Sequence, residues 1–137
     1  MVLHCDYNVA HTNVVLGLVE SLVGLIPAGG GCKEMLWRWL QTPEGKENSE
    51  NASMKVFDLI GYAITATSPN EALPNQFFLE KDKVVINRDR QLSTAIDLLN
   101  IIEGGYAKPS QPKFNLGGSA VRAVSYTHLT LPTTTIV

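Results

Sequence analysis

The chain has 137 residues, of which 45% are apolar and 18% charged, with a net charge of −2. That is enough for about one ordinary globular domain, and it excludes a disordered tail. The slight negative charge argues against a nucleic-acid binder, which needs a clustered basic face.

Membrane and secretory signals are equally weak. No apolar run reaches the 18 or so residues of a spanning helix. The most apolar stretch, residues 14–27, is interrupted by Glu20, Gly17, Gly24 and Pro27. The start lacks the basic region and long apolar core of a signal peptide. Cys5 and Cys32 are the two cysteines and give no disulfide framework, which fits a reduced, cytoplasmic setting.

In chain order, residues 2–7 and 14–19 are short and rich in Val and Leu, and are predicted to be buried strands. Residues 27–31, Pro-Ala-Gly-Gly-Gly, form a sharp turn. A helix is predicted over about 32–40, because Cys32, Met35, Leu36, Trp39 and Leu40 fall three and four apart. Residues 41–51 are polar, with Pro43, Gly45 and mixed charges, and are predicted to be a solvated loop. A second helix covers roughly 53–63, with Met54, Phe57, Leu59, Ile60 and Tyr62 on its packed side.

Ser68 begins a short helix, with Pro69 in its first turn and Glu71 completing a capping box, and Pro74 keeps it short. Residues 83–86 form a short strand. Asn87 caps the clearest helix, about 88–103, in which Leu92, Ala95, Ile96, Leu99 and Ile102 share a face and Gly104-Gly105 provides the stop. Residues 106–123 contain Pro109, Pro112, Gly117 and Gly118 and are predicted to be mostly extended. Residues 125–135 are Thr-rich and without an acidic group, and resemble a translated sequencing-library adapter. Residues 124–137 are therefore expected to be a non-native tail. Met1 leads at once into apolar, strand-like residues, and the two ends together suggest a truncated gene.

Chemistry concentrates between Leu16 and Gly31. Glu20 lies between two apolar pieces, and an apolar setting disfavours the ionised form of a carboxyl group, as a general acid requires. Gly24 and the glycines at 29–31 remove side chains beside it, so a ligand or another backbone can come close. A surface turn residue is the plainer reading of the same glutamate.

The segment resembles the signature of the crotonase (enoyl-CoA hydratase/isomerase) superfamily: a Pro-Glu pair, an apolar-Gly step, then Pro-Gly-x-Gly-Gly leading into a helix. Glu20 falls on the signature glutamate, Gly24 on the following glycine, Pro27 on the proline, and Gly30-Gly31 on the glycine pair. Cys5-Asp6 falls on the Cys-Asp pair found upstream in many hydratases, with the right fourteen-residue step from Asp6 to Glu20. Residues 68–72, 86–90 and 103–106 resemble the carboxy-terminal crotonase region of fused 3-hydroxyacyl-CoA dehydrogenase–hydratase proteins of fatty-acid β-oxidation. The resemblance covers about residues 1–123. Val19 stands where the signature has Pro, and Ala28 where it has Gly.

The resemblance implies the carboxy-terminal portion of a crotonase-like spiral fold of the α/β class, a few strands and then helices. It implies hydration of trans-2-enoyl-CoA to 3-hydroxyacyl-CoA, with Glu20 catalytic and Val19, Leu22, Val23, Gly24 and Ala28 in contact with substrate. It implies no cofactor for this part, since the substrate carries coenzyme A, and NAD only in the missing dehydrogenase part. Its partners are then an acyl-CoA thioester, the missing amino-terminal part of the same polypeptide and, in a homo-oligomer, a second copy. The family's other glutamate would precede Met1 by about one residue, and both oxyanion-hole N–H groups lie further upstream. Oxyanion donors commonly contribute roughly 2.7–4 kcal/mol each, so the fragment itself is expected to be nearly inert. An isomerase of the same superfamily, or a catalytically dead crotonase-like packing domain, would fit the same motif.

Other readings fail. Residues 29–34 lack the Gly-Lys-Ser/Thr order of a phosphate loop, and no dinucleotide fingerprint is present. His4, Cys5 and His11 lack zinc spacing. Trp37 and Trp39 are expected to pack, because no basic stripe accompanies them.

Overall fold

A computed structural model of the chain describes residues 2–114, 118, 119, 122 and 123. A 3-10 turn, Val2–His4, leads to strand β1 (Val9–His11) and then β2 (Leu16–Gly17). A second 3-10 turn, Glu20–Val23, precedes helices α1 (Gly31–Gln41), α2 (Pro43–Glu47) and α3 (Ser49–Gly61). Strand β3 (Thr65–Ala66), the one-turn helix α4 (Pro69–Ala72), strand β4 (Lys83–Val85) and helix α5 (Gln91–Glu103) complete it. Among the described residues β1 pairs parallel with β4, and β2 pairs antiparallel with β3.

The core sits where α1 packs on α3. Met35, fully buried, is surrounded by Trp39, Ala52, Val56, Leu59, Ala66, Ala72, Phe77 and Phe78. Burying a side chain the size of Met35 contributes roughly 1.5–3 kcal/mol. The three-and-four spacing predicted α1 and its packed stripe well. In α3 the same period places Ala52, Val56 and Leu59 inward, whereas Met54, Phe57 and Ile60 are only partly buried. Tyr62, expected on the packed side, is exposed because it caps the helix beyond its last turn.

Several expectations need correction. Residues 2–7 form no strand: the Cys5 N–H bonds back to the Val2 carbonyl and makes a turn. The strand starts at Val9, because Asp82 fixes the register there. Its carboxylate accepts the backbone N–H of Asn8 at 2.8 Å, Asn8 Nδ2 at 3.2 Å and the Leu79 N–H at 2.9 Å. Of residues 14–19 only Leu16 and Gly17 pair, and Val15 and Val19 are exposed rather than buried.

Residues 41–51 are not a loop. Thr42 caps α2 by accepting the Gly45 N–H at 3.1 Å, with Pro43 in the first turn, and Asn48 caps α3 by accepting the Glu50 N–H at 2.9 Å. Two caps of this kind outweigh the polar composition. The Ser68 cap forms as predicted, but Glu71 reaches back to the N–H and hydroxyl of Thr67, each at 2.8 Å, rather than to Ser68. Those two bonds hold the Glu71 carboxyl below its ordinary range.

Asn87 caps a 3-10 turn, Arg88–Arg90, before α5 begins. Gly118, Ser119, Arg122 and Ala123 are helical, not extended, and Arg and Ala favour helix. The expected tail at 124–137 lies outside the described residues. None of the helices described is long and apolar enough to cross a membrane.

No residue of α5 is buried, although its apolar period is regular, and Leu92, Leu99 and Ile101 are exposed with Ile86 beside them. A second apolar ridge, Leu22, Val23, Leu25 and Ile26, stands out on the turn before α1. Apolar surface on this scale drives association. The chain expressed alone should therefore elute from a sizing column well above monomer size, and Leu99→Glu should shift it toward monomer. A wild-type monomer at micromolar concentration would refute this.

Candidate active site

The approach to Glu20 is fixed by small contacts. Gly17 lies so close to Thr65 that a Cβ there would sit 2.8 Å from Thr65 Cγ2, which holds β2 tightly against β3. The chain then enters the 3-10 turn Glu20–Val23. Gly24 closes it at φ 74°, a left-handed conformation suited to glycine, and its N–H bonds to the Ser21 carbonyl at 3.0 Å. The Ser21 hydroxyl donates to the Ile60 carbonyl at 2.6 Å and ties the turn to the end of α3.

The glycine turn follows. Gly29 and Gly30 both have positive φ, and Gly31 opens α1. A Cβ on Gly31 would meet Leu18 Cδ2 at 3.1 Å, so its bareness lets the helix start settle on Leu18. No side chain caps α1 at Gly30. The positive end of the helix therefore begins beside the Glu20 turn, with Glu34 in the first turn as an anion of its own, paired to Lys33.

Glu20 is half-buried, and its Oε2 is enclosed yet has no hydrogen-bond partner. Trp39 Nε1 and Asp58 Oδ1 are enclosed without a partner in the same way, and Glu20 differs from them in standing beside the glycine turn. Its charge reaches the second residue of α1. Burial pushes the Cys32 thiol up, the thiol's backbone hydrogen bond draws it down, and the negative charge of Glu20 adds to the rise.

The other sequence-predicted residues share this turn but do not enclose a site by themselves. Val19 is partly exposed, Leu22 and Val23 are each 74% exposed, and Gly24 and Ala28 are open to solvent. The adjoining cavity of about 410 Å³ lies on the other side of the turn, between Ser21, Leu25, Ile26, Cys32, Leu36 and Phe57. Glu20 itself, like Val19, Leu22, Val23, Gly24 and Ala28, lies outside its wall. Sequence reasoning missed Ser21 and Cys32 as neighbours of Glu20. Cys32 could have been found, since it is the first apolar residue of the α1 stripe.

Upstream, the Asp6 carboxylate accepts the Tyr106 hydroxyl at 2.8 Å. His4 lies 3.4 Å from Glu34, which also pairs with Lys33 at 2.6 Å. His11 Nε2 lies 2.8 Å from the Ile86 carbonyl and its Nδ1 accepts the Asn13 N–H at 3.1 Å, a structural role. Among the described residues no three His, Cys, Asp or Glu side chains gather as a metal would need.

This arrangement offers one enclosed carboxylate oxygen beside an uncapped helix start and an apolar ridge. Comparison with known proteins adds a relationship. The chain is similar to a probable 3-hydroxyacyl-CoA dehydrogenase of Bacillus subtilis (strain 168). The two are 34% identical over 110 residues, which is 80% of this chain and 14% of that protein. The chain thus spans about one seventh of the length of the curated relative it matches. No protein-family model matches the chain, and no solved structure does.

Proposed function

We propose that this chain is the carboxy-terminal portion of a crotonase-like domain in a longer acyl-CoA enzyme of fatty-acid β-oxidation. In this reading the enzyme adds water across the double bond of a trans-2-enoyl-CoA thioester. The observation that carries it is the enclosed, unpartnered Oε2 of Glu20, on the signature glutamate and beside the glycine turn. The relationship to a protein named for 3-hydroxyacyl-CoA dehydrogenation supports it, because 3-hydroxyacyl-CoA is what hydration produces.

Hydration forms a C–O bond at the β-carbon and a C–H bond at the α-carbon. Glu20 supplies the α proton. A second carboxylate from outside this chain takes a proton from water as its oxygen attacks. Negative charge passes to the thioester carbonyl and is held by N–H groups that also come from outside. The apolar Val19, Leu22 and Val23 meet the acyl chain, while Gly24 and Ala28 leave room for it. NAD belongs to the dehydrogenase part alone.

A second reading, a crotonase-like domain that only packs against its neighbours, is favoured by the exposure of Leu22, Val23 and Ile26. Loss of enoyl-thioester absorbance on mixing crotonyl-CoA with the full-length polypeptide, without NAD, separates the two. Hydration is expected, and its absence would leave the packing reading.

A further inference from the structure

The residues after α5 cross the molecule instead of leaving it. Gly104 and Gly105 end the helix, the Gly105 N–H bonding back to the Ile102 carbonyl at 3.1 Å. Tyr106 then anchors to the Asp6 carboxylate at 2.8 Å. Phe114 anchors on Trp37 of α1, edge to face, with ring centres 5.9 Å apart at 70°. Between the anchors, Pro109, Ser110, Gln111 and Pro112 line one part of a cleft of about 830 Å³. Its floor is the segment from Leu3 to Asp6, and Trp37 and Arg38 stand on one wall.

The two prolines fix their own φ and push Lys108 and Gln111 toward extended backbone, so the crossing segment moves as one stiff piece. Both anchors are weak enough to open. The phenol–carboxylate bond lies at the surface, and the ring pair is a single contact. The hydrogen bond to Asp6 raises the Tyr106 phenol above its ordinary value.

We infer that residues 106–114 are a releasable strap along this cleft, latched at Asp6 and Trp37. Release opens the cleft and frees the Asp6 carboxylate, while Arg38 still holds the Leu3 carbonyl of the floor. His4 of that floor lies against Gly30, where a Cβ would stand 3.2 Å from its ring, so the strap bears on the glycine turn through the same segment.

Limited trypsin digestion in dilute solution tests the latch. Trypsin cuts poorly between Lys108 and Pro109, so cleavage after Lys113 reports the strap, and cleavage after Lys46 and Lys55 in α2 and α3 reports the body. Tyr106→Phe removes only a surface hydroxyl, and Trp37→Leu removes the second anchor. Each should speed cleavage after Lys113 by about two- to tenfold, the effect of one ordinary hydrogen bond or ring contact on local opening, with Lys46 and Lys55 unchanged. Equal Lys113 rates in wild type and both variants would overturn the strap. So would a rise matched at Lys46 and Lys55, which reports general unfolding.

Discussion

Glu20→Gln in the full-length polypeptide should cut the hydration of crotonyl-CoA by at least about a hundredfold, while acyl-CoA still binds. Proton transfer by a placed side chain typically contributes 10²–10⁴-fold, or about 3–5 kcal/mol. The substitution keeps the shape and one carbonyl oxygen and removes the transferable proton. The measurement must separate kcat from KM. A pure proton donor loses kcat with KM near its original value, whereas a residue that merely shapes the turn raises KM or lowers stability.

The geometry makes the substitution informative. Ser21 and Gly24 hold the turn through bonds that do not involve the Glu20 side chain. Gln at this position therefore leaves the 3-10 turn and the start of α1 in place. A Gln variant with near-normal turnover would return Glu20 to the role of a polar residue closing a turn.

How much of this was legible in the sequence depends on what each feature needs. Helices α1, α3 and α5 were readable because the three-and-four period is local, and so were the Ser68 and Asn87 caps. Strands were placed less well. Alternation locates a stretch that suits a strand, but pairing depends on a partner some seventy residues away, and Asp82 sets that register at Asn8. The helical content of 41–51 was hidden by its charges, although Thr42-Pro43 and Asn48-Ser49 are cap signals.

At the site, the sequence singled out Glu20 and the glycine turn. The enclosure of Oε2 could not be read, because it depends on where Ser21, α1 and α3 converge. The apolar residues of α5 share one face, as their period predicts, yet none of it is buried. The period gives the face and not its partner. For a chain that matches one seventh of a longer relative, that partner has room to be another part of the same polypeptide.

One buried charge carries more structural weight than its place in the sequence suggested. Arg38 stands three residues after Met35 on the packed stripe of α1, where a charged residue is a signal in itself, and it is 7% exposed. It donates from Nη1 to the carbonyls of Gln76 at 3.0 Å and Phe77 at 3.2 Å, and from Nη2 to that of Leu3 at 3.2 Å. Burial draws its guanidinium below the ordinary value, and the charges of Asp82 and then Glu34 offset part of that. Arg38 thus ties the amino-terminal segment and the stretch before β4 to α1.

Arg38→Met keeps the apolar stem and strips the donors from three carbonyls. An unpaired buried acceptor costs about 1–3 kcal/mol, and of the three bonds lost the one to Phe77 is buried and the other two are partly so. Domains of this size are stable by about 5–15 kcal/mol, so the loss is a large share. Brief proteolysis of the full-length polypeptide across a urea series, read peptide by peptide, should place this region's midpoint about 1–2 M lower in the variant. Asp82→Asn should destabilise too, because Asn8 and Leu79 donate to different oxygens of the carboxylate, and the single amide oxygen can serve only one of them while the NH2 faces a donor. An Arg38→Met midpoint indistinguishable from wild type would mean that water reaches those carbonyls and that the clamp is dispensable.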